Sequence, residues 1–366
     1  MSGADVRLLE QQIYEAAVVP EKWAGVLTTL SGAARSFGTI LLTAGHDRQV
    51  RSVASPRIEA LWREWIAERW TERSQRAPRL LAQDRAGWLR DIDMFSHDEI
   101  EALPEYREFL APRGLKWGAA AAIPMPTGDT VIVSMERLAA EGPFDGQTIA
   151  MLDSLYGHLA RASMISGILA AERARTAVET LAAIGLPAAA ITHDGMVRVT
   201  NTLFDRETRL WHTRGGDRIS LHDRRADRLF HESLGGVPGP AAGRSIALQG
   251  LGTDERAVLH LIPIRGSAQD VFSQTALIAV LTRASARPVP APPLLRALFD
   301  LAPAEAEIAS DLAAGISVAE IAVRRRSTVQ TVRSHLKSIM HKTGCGRQPE
   351  LVRMLASLSI PAAPAS

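Results

Sequence analysis

The sequence predicts a multidomain chain: an α+β body, one long helix, a second α+β body and a compact all-α end. Three observations carry this. At 366 residues the chain is long enough for two or three domains of ordinary size. Residues 145–184 hold no proline and read as one helix, far longer than the globular average. Beyond a Pro- and Ala-rich stretch at 284–295, strand signals stop and helical signals run on to residue 358.

The elements follow in order. Residues 5–17 and 21–35 read as two helices split at Pro20, which suits a helix start. FGTILLTA (37–44) reads as a buried strand, GHDR (45–48) as a turn, and a second strand runs to Ala54. Residues 56–73 return to helix, with Leu61, Trp62, Trp65, Ile66 and Trp70 on one side. SHDE (96–99) is a capping box, in which the Ser96 oxygen accepts a backbone N–H and Glu99 reaches back. Residues 114–137 read as a hairpin turning at Thr127-Gly128-Asp129. Residues 1–144 are therefore expected to pack helices on a small antiparallel sheet.

The long helix, 145–185, spans roughly 40 residues, or about 60 Å. Leu152, Leu155, Leu159, Ala162 and Leu169 follow heptad-like spacing, then the phase shifts toward Val178 and Leu181. Two readings fit: a helix packed on its own domain, or a dimeric coiled linker, and length favours the linker. In 186–284, LPAAAITHDGMVRVTN reads as strand, Asp194-Gly195 turn, strand and then a helix opened by Asn201. Two more strands are expected near 255–265 and 274–283. Residues 285–297 read as a stiff Pro/Ala linker, and 298–358 as a helical module.

Composition narrows the function. Hydrophobic content of 46% and charged content of 22% are ordinary for a globular protein. A net charge of +2 makes any anion-binding surface a local one. Cys345 stands alone, which excludes an intramolecular disulfide and a Cys-rich zinc module and fits a reducing cytoplasm. Asp5 and Glu10 lie where a signal peptide needs an apolar core, and no run of 18 uncharged apolar residues appears. A cytoplasmic protein with no membrane span is expected. His193, His212, His222, His231 and His260 match no ligand spacing, so neither metal nor cofactor is expected. Asp91 and Asp93 lack the alternating βα pattern of a phosphoacceptor domain. No nucleophile elbow, P-loop or dinucleotide fingerprint appears, which argues against an enzyme.

The strongest signal is VRRRSTVQTVRSHLKSIMHKTG (323–344). It carries Arg324, Arg325, Arg326, Arg333, Lys337 and Lys342 with no Asp or Glu. Four helices fit here: Pro303–Ala314 stopped by Gly315, Ser317 to Val323 with a Ser317/Glu320 capping box, a third to about Lys342 ended by Gly344, and Pro349–Ser357. Ile308, Leu312, Ile321, Val329, Val332, Leu336, Ile339, Leu351 and Leu355 are the expected core. The third helix then turns Gln330, Arg333, Ser334, Lys337 and His341 outward. A helix of this diameter fits the DNA major groove, where Arg333 suits guanine and Gln330 suits adenine. Lys337 suits a phosphate or guanine. The helix start, with the Ser327 and Thr328 hydroxyls, suits a phosphate. Arg324, Arg326, Thr331 and Lys342 complete the expected DNA-facing set.

Residues 301–355 resemble the LuxR-type (GerE) helix-turn-helix module. The likeness rests on Pro303 and Glu305, Gly315, AEIA (319–322), TVRSHLKSI (331–339), KTG (342–344) and RQPELV (347–352), and covers about one-sixth of the chain. It implies a dimeric transcription regulator on double-stranded DNA, with Arg333, Ser334 and Lys337 facing the bases and RNA polymerase among its partners. Three positions depart from the pattern. Ala302 replaces the usual capping Thr, Arg326 stands where Gly often serves, and Ser327 replaces a buried Ile.

Ahead of this module, residues 1–144 resemble a GAF-like or autoinducer-type sensor, and 186–284 a PAS-like domain, chiefly through DGMVRVTN. Such domains imply an unknown small-molecule or protein signal. Trp62, Trp65, Trp70, Trp88 and Trp117 are candidates for an apolar ligand pocket, with core packing the plainer account. Acyl-homoserine lactone sensors set an Asp-Pro after paired aromatics. Here that place reads Ala77-Pro78, which argues against that ligand. The alternative function is a signalling adaptor with a degenerate helix-turn-helix, working through protein contacts.

Overall fold

The structure, a computed structural model, describes residues 3–44, 50–83, 85–234, 243–250, 256–264, 269–283 and 290–358. The turn expected at 45–48 and the first part of the 285–297 linker lie outside these. The chain divides into two compact units. One holds Met1–Arg175, Ile191–Asp194 and Pro263–Leu277, the other Thr176–Ala190, Gly195–Ile262 and Ile278–Ser366.

The first unit opens with α1 (Gly3–Val18) and α2 (Trp23–Ala33), separated by a single 3-10 turn that starts at Pro20. β1 (Gly38–Ala44) and β2 (Val50–Ala54) follow as expected. The helix expected over 56–73 is broken. α3 (Pro56–Ala67) ends, Arg69 takes a left-handed φ of 60°, and α4 (Trp70–Arg73) restarts in a new direction. That turn brings Trp70 back beneath Trp65, their ring centroids 5.7 Å apart. Next come α5 (Arg76–Leu81), β3 (Trp88–Arg90), α6 (Asp91–Met94) and α7 (His97–Ala102). The Ser96/Glu99 capping box closes at 3.2 and 2.8 Å. A wide π turn over Glu105–Leu110 leads to the hairpin of β4 (Leu115–Pro124) and β5 (Thr130–Leu138).

These strands form one sheet in the order β2-β1-β5-β4-β3. Side chains alternate across a strand, and each face has its own core. Leu41, Ala119, Ala121, Val131, Val133 and Met135 face a core shared with α1 and α2. Ile40, Ala120 and Ile132 face a second core holding Trp62, Trp65, Trp70 and Phe109. α8 (Gly146–Ala183) runs 38 residues. Leu152, Leu155, Leu159 and Ala162 are fully buried in the first core. These four heptad-like positions pack within the helix's own body, while Leu169 lies outside that core. α11 (Gln269–Phe272), read from sequence as part of the second body, also belongs here, with Phe272 against Trp23 at 5.3 Å.

The second unit holds β6 (Ala188–Ile191), β7 (Val197–Thr200), α9 (Thr202–Asp205), β8 (Trp211–Arg214), β9 (Arg218–Leu221), α10 (Arg224–Leu234), β10 (Arg244–Gln249), β11 (Arg256–Pro263) and β12 (Leu277–Arg283). Asn201 caps α9 as expected. It also accepts from Ala188 N and donates to the carbonyls of Val178 and Leu186, so every polar atom of this buried amide is engaged. The main sheet runs β10-β11-β12-β6-β7, and β8 and β9 form a separate pair. Numbered within its own sheet, each five-stranded sheet has the order 2-1-5-4-3.

The all-α end has one more helix than expected. α12 (Pro292–Phe299) occupies residues read as extended linker, because its Leu295 is fully buried among the helices that follow. α13 (Pro303–Ala313), α14 (Val318–Arg324), α15 (Val329–Thr343) and α16 (Gln348–Ser357) match the expected four within a residue or two. Every expected core residue is buried except Val329, which is 39% exposed in the first turn of α15.

Candidate functional site

The apolar face of α15 is Val332, Leu336 and Ile339, all buried. Helical geometry then places Gln330, Thr331, Arg333, Ser334, Lys337 and His341 outside, and all six are exposed. Among the described residues, Arg326, Arg333 and Lys337 have no ion-pair partner, and Arg326 and Ser327 are also exposed.

Three other basic residues of the motif are met inside the fold. Arg325 grips Asp311 through Nε at 2.9 Å and Nη2 at 2.6 Å, and also bonds Glu307. Arg324 reaches Asp311 Oδ1 at 3.3 Å while staying largely exposed. Lys342 donates to Glu305 Oε2 at 2.8 Å and to the Asp300 carbonyl at 3.0 Å. Glu305 also accepts from Ser338 Oγ at 2.6 Å and Ala302 N at 2.8 Å. Lys342 and Ser338, with burial opposing them, push its carboxyl down to about 2. Glu305 thus ties the start of α13 to the middle and end of α15. Nothing in the motif pattern separates these inward-facing cations from the outward ones, because both sets sit on polar positions.

The α14–α15 turn is a Schellman motif. Ser327 N–H bonds the Ala322 carbonyl at 2.9 Å and Arg326 N–H the Val323 carbonyl at 3.1 Å. The left-handed position of such a turn favours glycine, and Arg326 fills it with φ 51°. Gly315 and Gly344 hold the equivalent places after α13 and α15. Thr328 caps α15, its Oγ1 accepting from Thr331 N at 3.1 Å. That hydroxyl is occupied by its own helix.

The tryptophans divide. Trp62 and Trp65 line a cavity of about 150 Å³ between the sheet and α3–α6, with Ile40, Leu42, Met94 and Ile132. At a water's share of liquid volume, roughly 30 Å³, that is room for about five. Trp70 packs behind Trp65, Trp88 is buried in the core on the other sheet face, and Trp117 is half-buried with its Nε1 on the Ala139 carbonyl. These three do not line the cavity.

Charged residues that the sequence reading did not single out close one end of this cavity. Arg76 donates to Glu136 at 2.7 Å, and its Nε and Nη2 lie 3.3 and 3.2 Å from Asp91. The side chains of Asp91 and Glu136 are 2% and 5% exposed. Glu136 pairs across the sheet with Gly38 on one side and Gly118 on the other, and the room these glycines leave is taken by Ile58, Arg76 and Asp91. A Cβ at Gly118 would fall 1.9 Å from Arg76 Nη2 and 2.3 Å from Asp91 Oδ2. Burial first, with Asp91 adding to it and Arg76 opposing, pushes the Glu136 carboxyl up to about 7. Asp91 Oδ2, Glu136 Oε2 and the Tyr106 hydroxyl make no hydrogen bond. Burial and then Asp91 hold the Tyr106 phenol well above its usual range. Arg76 and Glu136 lie 60 residues apart, and no spacing rule links them.

Among the described residues no three His, Cys, Asp or Glu side chains gather to hold a metal, and no helix is long and apolar enough to cross a membrane. Comparison with protein-family models and with curated proteins gave no match. Solved structures that overlap the chain include the N-acylhomoserine lactone dependent LuxR family transcription factor CepR2 from Burkholderia cenocepacia, at 12% identity and TM-score 0.35, covering 45% of this chain and 98% of that one. The VqsR LBD domain from Pseudomonas aeruginosa overlaps at 17% identity and TM-score 0.34, covering 44% and 94%. SdiA from Escherichia coli overlaps at 12% identity and TM-score 0.30, covering 93% and 92%. At these identities and TM-scores the overlaps assign no family to the chain.

Proposed function

We propose that the chain is a DNA-binding transcription regulator whose α13–α16 form a LuxR-type helix-turn-helix. α15 enters the major groove with Gln330, Arg333, Ser334 and Lys337 toward the bases. Arg326, Ser327 and Thr331 lie toward phosphates. The carrying observation is the exposed, unpaired cationic face of α15 above a closed apolar core. Elsewhere in the motif Asp311, Glu307 and Glu305 neutralise their basic neighbours, so a face left without carboxylates marks where an anion belongs. Arg324 and Lys342 act as positioning groups in this reading.

The two α+β bodies are read as sensors, the first GAF-like and the second PAS-like. Their shared 2-1-5-4-3 strand order and the cavity beside the first sheet support this. The working form is taken to be a homodimer reading half-sites about 10 bp apart, or a multiple of that. Exposed Met164, Ile165 and Ile168 on α8 are suited to such a contact.

A gel shift of the full chain on genomic fragments with competitor DNA tests the reading. A sequence-selective band is expected. Arg333→Ala should weaken the preferred site by about 1–3 kcal/mol and relax its base preference. Absence of any selective band removes the DNA-binding assignment and favours the adaptor.

A further inference from the structure

We propose that the first unit's cavity takes a small amine: an apolar body of about six carbons against Trp62 and Trp65, with its ammonium head on Glu136 and Asp91. This deepens the sensing half of the function proposed above. It concerns the ligand only and does not need DNA binding.

The cavity's walls are mostly apolar apart from one charged end, where two carboxylate oxygens, Asp91 Oδ2 and Glu136 Oε2, and the Tyr106 hydroxyl make no hydrogen bond. Buried polar groups are normally hydrogen-bonded, and each exception calls for an explanation. Glu136 Oε2 and Asp91 Oδ2 are two such exceptions on one guanidinium. The charged and titratable groups at this end are Arg76 from α5, Asp91 from α6, Tyr106 from the π turn and Glu136 from β5. α3, β1 and β4 contribute only uncharged residues to the lining. The donors already present are committed or misaligned. Arg76 is bound to Glu136 and faces Asp91, while the Tyr106 hydroxyl keeps its proton. Once Glu136 is ionised, the two open carboxylate oxygens outnumber the one Tyr106 O–H, and an N–H-rich head supplies donors to both.

Charge decides which kind of donor. With Arg76 and Asp91 ionised and Glu136 protonated, the end is neutral. Ionising Glu136 leaves one negative charge in excess. A bound ammonium balances that charge, and a carboxylate or an extra neutral group does not. Glu136 titrates near neutrality because burial raises it, so giving up its proton is easy there. The step is: protonated Glu136 plus free alkylammonium gives ionised Glu136 with bound alkylammonium and one proton released to solvent. Any side chain at Gly118 would displace Arg76 or Asp91.

The test uses the full chain without DNA and three probes of equal length: hexylamine, hexanol and hexanoate. Binding is followed by the fluorescence of the lining tryptophans and by calorimetry in buffers of different ionisation enthalpy. Hexylamine is expected to bind at least about tenfold tighter than either other probe, the scale of a charge-assisted hydrogen bond. Its affinity should rise from pH 6 to pH 8, with release of up to one proton. Glu136→Gln should remove both the preference and the pH dependence while leaving hexanol binding in place. The proton count on the unaltered chain stands even where the variant fails to fold. Equal or better binding of hexanol or hexanoate, amine binding with no proton release, or no binding of any probe overturns the proposal. None of these outcomes bears on the gel shift, and a failed gel shift leaves this titration to be judged by itself.

Discussion

At Glu305 one carboxylate accepts from three donors on two helices, and its side chain is only 8% exposed. The group supports the presentation of α15 without facing outward itself. Its folded carboxyl lies at about 2 against an ordinary 4.5, so the stability it contributes is present above pH 4.5 and is lost as pH falls toward 2. Glu305→Gln should cost about 1–3 kcal/mol at pH 7, at the lower end because Lys342 is partly open to solvent. The gap between variant and parent should close between pH 4.5 and 2 in denaturant unfolding. A gap that persists unchanged at pH 2 would mean that the carboxylate's charge is irrelevant. This role is not legible from sequence. Glu305 enters there only as part of a family pattern, and nothing in the local spacing shows that Ser338 and Lys342 reach it.

At the scale of elements, what the sequence announces is what local chemistry decides. The capping boxes at Ser96 and Ser317, the Asn201 cap and the Gly315 and Gly344 stops are all where their residue types demand. β3, α5, α6, β8, β9, α10, β10 and α11 escape the sequence reading. All but α10 are six residues or fewer, too short for a period to repeat. α10 is long enough, with Ala226, Phe230 and Leu234 on one face, but its polar content hides it within a basic, His-containing stretch. The cavity's polar end is hidden for a different reason, since it joins four elements distant in sequence. The α14–α15 turn is legible in part. Arg326 stands at a glycine-favouring position of the motif, and its φ of 51° agrees. That conformation costs a non-glycine residue about 1–2 kcal/mol. Arg326→Gly should therefore raise the thermal midpoint of the helical module. If the guanidinium meets a phosphate, it should also lower the salt slope of DNA binding by about 0.9. A variant that is neither more stable nor altered in slope would show that the side chain offsets its own strain within the fold.

Across the whole molecule, a net charge of +2 conceals a strongly local distribution. DNA affinity in this reading is set by one helix, not by a global field. Among the described residues, that helix rests on a core whose buried members run from Leu295 on α12 to Leu355 on α16, with Leu358 packed against it. α12 matters here, because a fragment cut at residue 298 would lose Leu295, and one cut at 290 keeps it. Residues 290–358 should fold by themselves in one cooperative thermal transition, read by circular dichroism. The margin is small, since a domain of this size buries only about 60% of its unfolded surface. A missing cap is then felt: Ala302 has cap-like angles and the Glu305 half of a capping box, but no side-chain acceptor. Ala302→Thr supplies the acceptor and should stabilise the fragment by about 1 kcal/mol, raising its midpoint by roughly 4–8 °C. The fragment should also bind DNA with the salt slope per module of the full chain, because its exposed cations are the same ones. A fragment that unfolds without cooperativity even when it carries the Ala302→Thr substitution would show that the module draws stability from residues before 290, and the separate core would not be enough to hold α15 in place.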